Sequence, residues 1–101
     1  MGEWSVYIIR CDERFLYTGI TTDVARRVGE HSSGDRKAAK YTRTFSSIAL
    51  VYEVLIGSRS QAAKIEYRIK KLPRQKKENI ILRCLGREEL LEFVNVDQET
   101  K

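Results

Sequence analysis

A carboxylate stands on the apolar stripe of a helix in this chain. Residues 59–71 place Ala62, Ile65, Ile69 and Leu72 at helical spacing, and Glu66 falls among them, with Ala62 and Ile69 as its neighbours one turn either way. An ionised carboxylate in that setting is costly unless a cation or several donors satisfy it. Two solutions stay open at this point. A nearby Arg or Lys can close a structural salt bridge, or a divalent ion such as Mg²⁺ can take the carboxylate together with water. Arg27 and His31 lie one helical turn apart beside Val24 and Val28. A guanidinium on that border can pair with a carboxylate or grip a phosphate with two parallel donors. His31 is the only histidine. It can carry a proton near neutral pH, or simply close a hydrogen bond at a helix end. One histidine with no cysteine near it in sequence cannot build a conventional zinc site. Tyr7 and Tyr17 sit in strand-like runs, where such residues commonly fill the core. A phenol titrates near pH 10 when unperturbed, so service as a base needs cationic neighbours, and Arg27 is a candidate. Neither a nucleophile elbow, a Walker loop, a dinucleotide-binding glycine pattern nor a zinc-protease H-E-x-x-H is present.

The elements that must position these groups follow from the pattern. Trp4 to Cys11 is apolar at both odd and even positions, as in a central strand covered on both sides. Asp12-Glu13-Arg14 is a polar turn, and Phe15 to Ile20 returns as the second strand of a hairpin. With those three residues as the loop and Cys11 opposite Phe15, Tyr7 and Tyr17 share a sheet face; a two-residue loop would reverse that. Thr21-Thr22-Asp23 supplies helix-capping chemistry, and a helix then runs to about Ser32. Residues 36–43 read as a short basic helix or an ordered loop. Ile48 to Ile56 is a third strand, ended by Gly57-Ser58. Ser58 and Gln61 match a capping box for the helix from Arg59 to Lys71. Pro73 suits the first turn of a new helix running to about Cys84. Gly86 separates it from a last amphipathic helix through Leu90, Leu91 and Val94. The order is β-β-α-(α)-β-α-α-α, an α/β (α+β) arrangement.

Charge narrows the partners. The chain has 101 residues and a net charge of +5, with 42% hydrophobic and 33% charged residues. That is the size of a single domain with a modest core. Residues 59–83 hold nine basic against two acidic side chains, and residues 21–45 hold six against three. From Cys84 onward the balance reverses, with two basic against five acidic. Basic charge gathered in two segments suggests a polyanion, nucleic acid first, although a solvated lysine-rich face gives the same counts. No stretch approaches the roughly 18–20 apolar residues of a membrane span. The first residues lack the basic-then-apolar order of a secretory signal, and Val6 breaks the myristoylation pattern. Cys11 and Cys84 read as reduced, partly buried thiols, so a cytoplasmic location is expected.

Taken together, the residues resemble the GIY-YIG endonuclease superfamily. Val6-Tyr7-Ile8 stands at its first motif and Tyr17-Thr18-Gly19 at its second, with Thr18 in place of a usual Ile or Val. Arg27 matches the helix arginine, His31 the downstream histidine or tyrosine, and Glu66 the metal-binding glutamate. Asn79 matches a polar residue that follows. The resemblance covers roughly residues 4–82. The run from Ala63 through Glu66, Ile69, Lys70, Lys71, Leu72 and Arg74 to Lys77 is similar to the small stand-alone bacterial members, which leaves an extra C-terminal helix at about 86–95.

That resemblance implies a three-stranded antiparallel sheet flanked by helices, and metal-dependent hydrolysis of DNA phosphodiesters leaving 5′-phosphate and 3′-hydroxyl ends, in DNA repair or recombination. By the same resemblance Glu66 holds Mg²⁺ or Mn²⁺. Arg27 stabilises charge on the phosphate. Tyr7 is the general base, its pKa lowered by the metal site and nearby cations. Tyr17 and His31 orient water or phosphate by hydrogen bonds, with a proton-shuttle role open to His31. Gly19 lets the strand turn into the helix and lets substrate approach. Lys70, Lys71, Arg74, Lys76, Lys77 and Asn79 join Gly19 in holding nucleic acid, with RNA not excluded as substrate. The competing reading is a non-catalytic or weakly catalytic nucleic-acid-binding module of the same fold. A monomer or weak dimer is expected, with targeting left to DNA structure or to a partner protein.

Overall fold

The computed structural model describes residues 2–33 and 46–99. Strands β1 (Trp4–Cys11) and β2 (Phe15–Thr21) form a hairpin, and helix α1 (Val24–Ser33) follows it. Strand β3 (Ile48–Gly57) leads to α2 (Arg59–Lys70), α3 (Arg74–Arg83) and α4 (Arg87–Glu99). The expected basic element at 36–43 lies outside the described residues. The three strands form one antiparallel sheet in the order β2-β1-β3. The doubly apolar first strand is central as expected, and Val6, Tyr7, Ile8 and Ile9 are all buried in succession.

The two sides of β1 serve different layers. Val6 and Ile8 face a core completed by Tyr52 and Ile56 of β3, Ala62, Ile65 and Ile69 of α2, Ile80 of α3, and Leu90 and Val94 of α4. Full burial of each such aliphatic side chain contributes about 1.5–3 kcal/mol. Tyr7, Ile9 and Cys11 face the other way, into a smaller cluster with Tyr17, Ile48 and the α1 residues Val24 and Val28. One strand therefore carries the core on its even positions and the α1 layer on its odd ones.

Local chemistry sets the helix ends. Ser58 accepts from the Gln61 amide while the Gln61 side chain accepts from the Ser58 amide, which is the expected capping box. Pro73 falls one residue before α3 rather than inside its first turn. Its extended backbone (φ −65°, ψ 158°) makes it the cap, and its carbonyl accepts from Lys76 and Lys77. Lys71 caps α2 instead of continuing it, and α4 runs on to Glu99, past the expected end near 95. Both cysteines are free thiols, but only Cys11 is buried. Cys84 is exposed, contrary to expectation, because it is the left-handed residue ending α3 (φ 50°), a position that lies at the surface of a helix terminus.

A long-range clamp ties α3 to the sheet. Arg10 of β1 donates twice to Glu78, at 2.9 and 3.0 Å, and Arg74 donates to the same carboxylate. The Arg10 hydrogen bonds hold the Glu78 carboxyl down at about 2, with Arg74 adding to the effect.

Candidate active site

The hairpin turn decides which side chains meet. Asp12 and Glu13 adopt positive φ (51° and 62°) and close a three-residue turn with Cys11 opposite Phe15. Ile9 then pairs with Tyr17 and Tyr7 with Gly19. The stated condition is met, and both tyrosines lie on the α1 face. Gly19 has a different reason from the expected strand-to-helix turn. It is an ordinary paired residue of β2. A Cβ there would lie 2.5 Å from the Tyr7 phenol oxygen and 2.7 Å from its ring carbon Cζ. The tyrosine of the first motif crosses its neighbouring strand through the space left by the glycine of the second. That space is taken by the protein itself.

Helix α1 supplies the next two groups. Asp23 caps it, accepting from the Arg26 amide at 3.1 Å, while its own amide donates to Thr21 Oγ1 at 3.1 Å. This start angle points the Arg27–His31 side of the helix at the sheet. His31 is 1% exposed, and its Nε2 lies 2.9 Å from the Tyr7 oxygen. With the imidazole proton on Nδ1, Tyr7 donates this bond; with it on Nε2, the bond reverses. The His31 ring also meets Tyr17 edge-on, with centroids 5.5 Å apart. Arg27 donates to Glu30 at 2.8 Å and lies near enough to Tyr7 for each to act on the other's charge. Glu30 accepts from Arg26 as well, at 2.9 Å. Glu30 was not among the expected site residues, although its spacing from Arg27 was a readable signal for a helical ion pair.

Helix α2 belongs to the main core but lies along β2, so one of its sides reaches this group. Glu66 is half-buried and bridges to Lys70 at 3.1 Å. Lys70 Nζ in turn sits 5.7 Å from the centre of the Tyr17 ring. Glu66 is near enough to act electrostatically on Tyr7. Tyr7, Tyr17, Arg27, His31 and Glu66 thus converge from β1, β2, α1 and α2. The other basic residues fall elsewhere. Lys71 covers the exposed Tyr67 ring at 5.0 Å, Arg74 is engaged with Glu78, and Lys76 lies over Phe93 at 5.8 Å. Lys77 and Asn79 are half-buried on α3.

Burial dominates the titration of the site. It pushes Tyr7 up to about 12, with Tyr17 adding to the rise and Arg27 opposing it. The expected lowering drew on the metal site as well as on nearby cations; Arg27 by itself does not outweigh the desolvation of a phenol that is 1% exposed. Burial and then Arg27 lower the pKa of His31, so its imidazole is neutral around pH 7. Burial works against the Arg27 charge, yet the hydrogen bond to Glu30 and the nearness of Tyr7 outweigh it and raise its pKa.

The family model of the GIY-YIG catalytic domain matches residues 3–79. The chain belongs to the GIY-YIG family. In GIY-YIG terms, the register shows why the first-motif tyrosine and the second-motif glycine go together, since Tyr7 and Gly19 are direct strand partners. The chain is similar to the UPF0213 protein of Cronobacter sakazakii, at 49% identity over 80% of this chain and 83% of that one. It is 45% identical to the UPF0213 protein of Citrobacter koseri, over 90% and 89% of the two chains. Among solved structures it is similar to the solution NMR structure of a UPF0213 protein from Bacillus halodurans, with a TM-score of 0.53 and 40% identity over 88% of this chain and 93% of that one. These relatives are small GIY-YIG proteins like this chain. The GIY-YIG family is one of DNA-acting nucleases. No helix among the described residues is long and apolar enough to cross a membrane.

Proposed function

We propose that the chain is a metal-dependent endonuclease that hydrolyses DNA phosphodiester bonds. The observation that carries this reading is the convergence of Tyr7, Tyr17, Arg27, His31 and Glu66 from four elements within a GIY-YIG domain. Among the described residues no group of three or more His, Cys, Asp or Glu side chains can hold a metal. The donor set therefore suits a hydrated hard ion, Mg²⁺ or Mn²⁺, that takes one carboxylate and completes its shell with water and phosphate oxygens. Glu66 is the residue that would hold it, in exchange for the Lys70 ammonium. Such an ion, when bound, would supply charge stabilisation at the phosphate.

The remaining work belongs to the chain. Arg27, kept charged and oriented by Glu30, faces the Tyr7 oxygen and is placed to hold a phosphate oxygen beside it. A phenol near 12 is a poor base alone. Tyr7 takes a proton from the attacking water as its own proton passes to the neutral His31 Nε2, 2.9 Å away. This gives His31 a defined part, the acceptor at the end of a two-step relay. Tyr17 packs against the His31 ring and carries Lys70 over its face, so it orients rather than exchanges protons. Lys70 and Lys71, exposed at the C-terminal end of α2, give affinity without sequence preference.

The deciding experiment is a cleavage panel of duplex, single-stranded and branched DNA with Mg²⁺ and Mn²⁺, run beside Glu66→Ala. Glu66→Ala abolishes cleavage and leaves DNA binding in place. Equal nicking by both proteins, unaffected by EDTA, would sink the proposal.

A further inference from the structure

Helix α2 has a second functional-looking side. Lys64 and Arg68 each sit two residues from Glu66, roughly 200° around the helix from it. They line a cavity of about 390 Å³ between α2 and α4, together with Arg87, Asn95 and the apolar Ile65 and Leu91. Pockets that hold small organic ligands run from about 300 to 1,000 Å³. Among the described residues lining it, none is acidic.

Three like charges gathered in one cavity repel, and little among the described residues neutralises them. Arg87 is held by a neutral acceptor, its Nε donating to the Ile56 carbonyl at 2.8 Å. Arg68 is likewise held by a neutral acceptor, the Asn95 side-chain oxygen. Both guanidiniums are thus positioned without losing their charge, and each keeps further N–H donors. Among the described residues, the carboxylate paired with one of them is Glu88, 3.8 Å from Arg87 and 92% exposed, too solvated to compensate. Lys64 makes no ion pair among the described residues. Oriented cations with little compensation among the described residues, above an aliphatic floor, are an arrangement that receives a multiply charged anion carrying an organic group. The Asn95 amide keeps its two N–H donors for the edge of such a group.

We propose that the α2–α4 cavity binds a nucleoside monophosphate, free or as the phosphorylated end of a nucleic-acid chain. The phosphate lies among Lys64, Arg68 and Arg87, and the base or sugar lies against Ile65 and Leu91. The proposal stands apart from the cleavage reading, because the cavity and Glu66 are on opposite sides of α2.

NMR titration of the full ¹⁵N-labelled chain tests it, with dAMP, inorganic phosphate and deoxyadenosine as probes. dAMP shifts the resonances of Lys64, Arg68, Arg87 and Asn95 and leaves Tyr7, Arg27 and Glu66 unmoved. Phosphate binds more weakly, and deoxyadenosine more weakly still. Lys64→Glu, at an exposed position without an ion pair among the described residues, weakens dAMP about tenfold, and Arg68→Gln does so by at least as much. Cleavage by both variants is unchanged. A 5′-phosphorylated tetranucleotide bound more tightly than dAMP in the cavity identifies the chain end as the source. Equal binding identifies the free nucleotide. The proposal is overturned if saturating dAMP leaves the cavity resonances still, if deoxyadenosine binds as well as dAMP, or if the two variants bind dAMP like wild type.

Discussion

The two faces of the sheet share a strand and little else. On the α2–α4 face, β1 offers Val6 and Ile8 to an aliphatic core whose one buried phenol, Tyr52, donates to the Leu85 carbonyl at 2.6 Å. On the α1 face it offers Tyr7 and Ile9, and the buried neighbours include an imidazole and a thiol. One side is built from groups that gain from burial alone. The other accepts groups that burial penalises and satisfies them with each other, phenol to imidazole and guanidinium to carboxylate. Stability and chemistry are thereby assigned to alternate residues of a single strand, so neighbours in sequence fail in different ways.

The sharpest test of that division is a pair of adjacent substitutions. Tyr7→Phe removes the relay and lowers turnover by about 10²–10⁴-fold. Its cost in stability is the unsatisfied His31 nitrogen, about 1–3 kcal/mol. Ile8→Ala costs about 2–5 kcal/mol of stability, yet the folded fraction cleaves at the wild-type rate below its unfolding midpoint. Single-turnover kinetics and urea melts on both proteins read the difference. Matching losses of rate per folded molecule would erase the distinction between the faces.

Gly19→Ala is expected to affect both properties at once. The new methyl drives into the Tyr7 phenol, costing about 1–3 kcal/mol and displacing the oxygen from His31. A melt lowered by that amount with turnover intact would show that the phenol tolerates displacement, and the relay would lose its geometric basis.

The smallest effect is a pH dependence. The folded pKa of His31 lies below its ordinary value of 6.5. The unfolded chain therefore takes up a proton first as pH falls. Stability from this group is complete above about pH 6.5 and declines as pH drops from there toward the folded value. His31→Gln removes that limb from urea midpoints measured between pH 7 and pH 5. An unchanged acid limb in the variant would assign it to the carboxylates instead.

Much of the fold was legible because its signals are local. The doubly apolar run of β1, the capping box at Ser58 and the stripe Ala62, Ile65, Ile69 each depend on residues within a turn or two. The shared face of the tyrosines was legible conditionally, through the length of one turn. What escaped were contacts whose partners are far apart in sequence. The Tyr7–His31 bond spans 24 positions and the Arg10–Glu78 clamp spans 68. Neither has a periodicity to announce it. The α2–α4 cavity needed the angle between two helices that no local pattern encodes. Glu66–Lys70, by contrast, is a helical neighbour pair and was open to reading.

The crossing of Tyr7 over Gly19 also makes two positions into one volume. Whatever is added at 19 is taken from the phenol at 7, since a Cβ at 19 would lie 2.5 Å from the Tyr7 oxygen. The hairpin register therefore acts as a seat for the phenol, and a side chain at 19 would reach the chemistry without touching Arg27, His31 or Glu66.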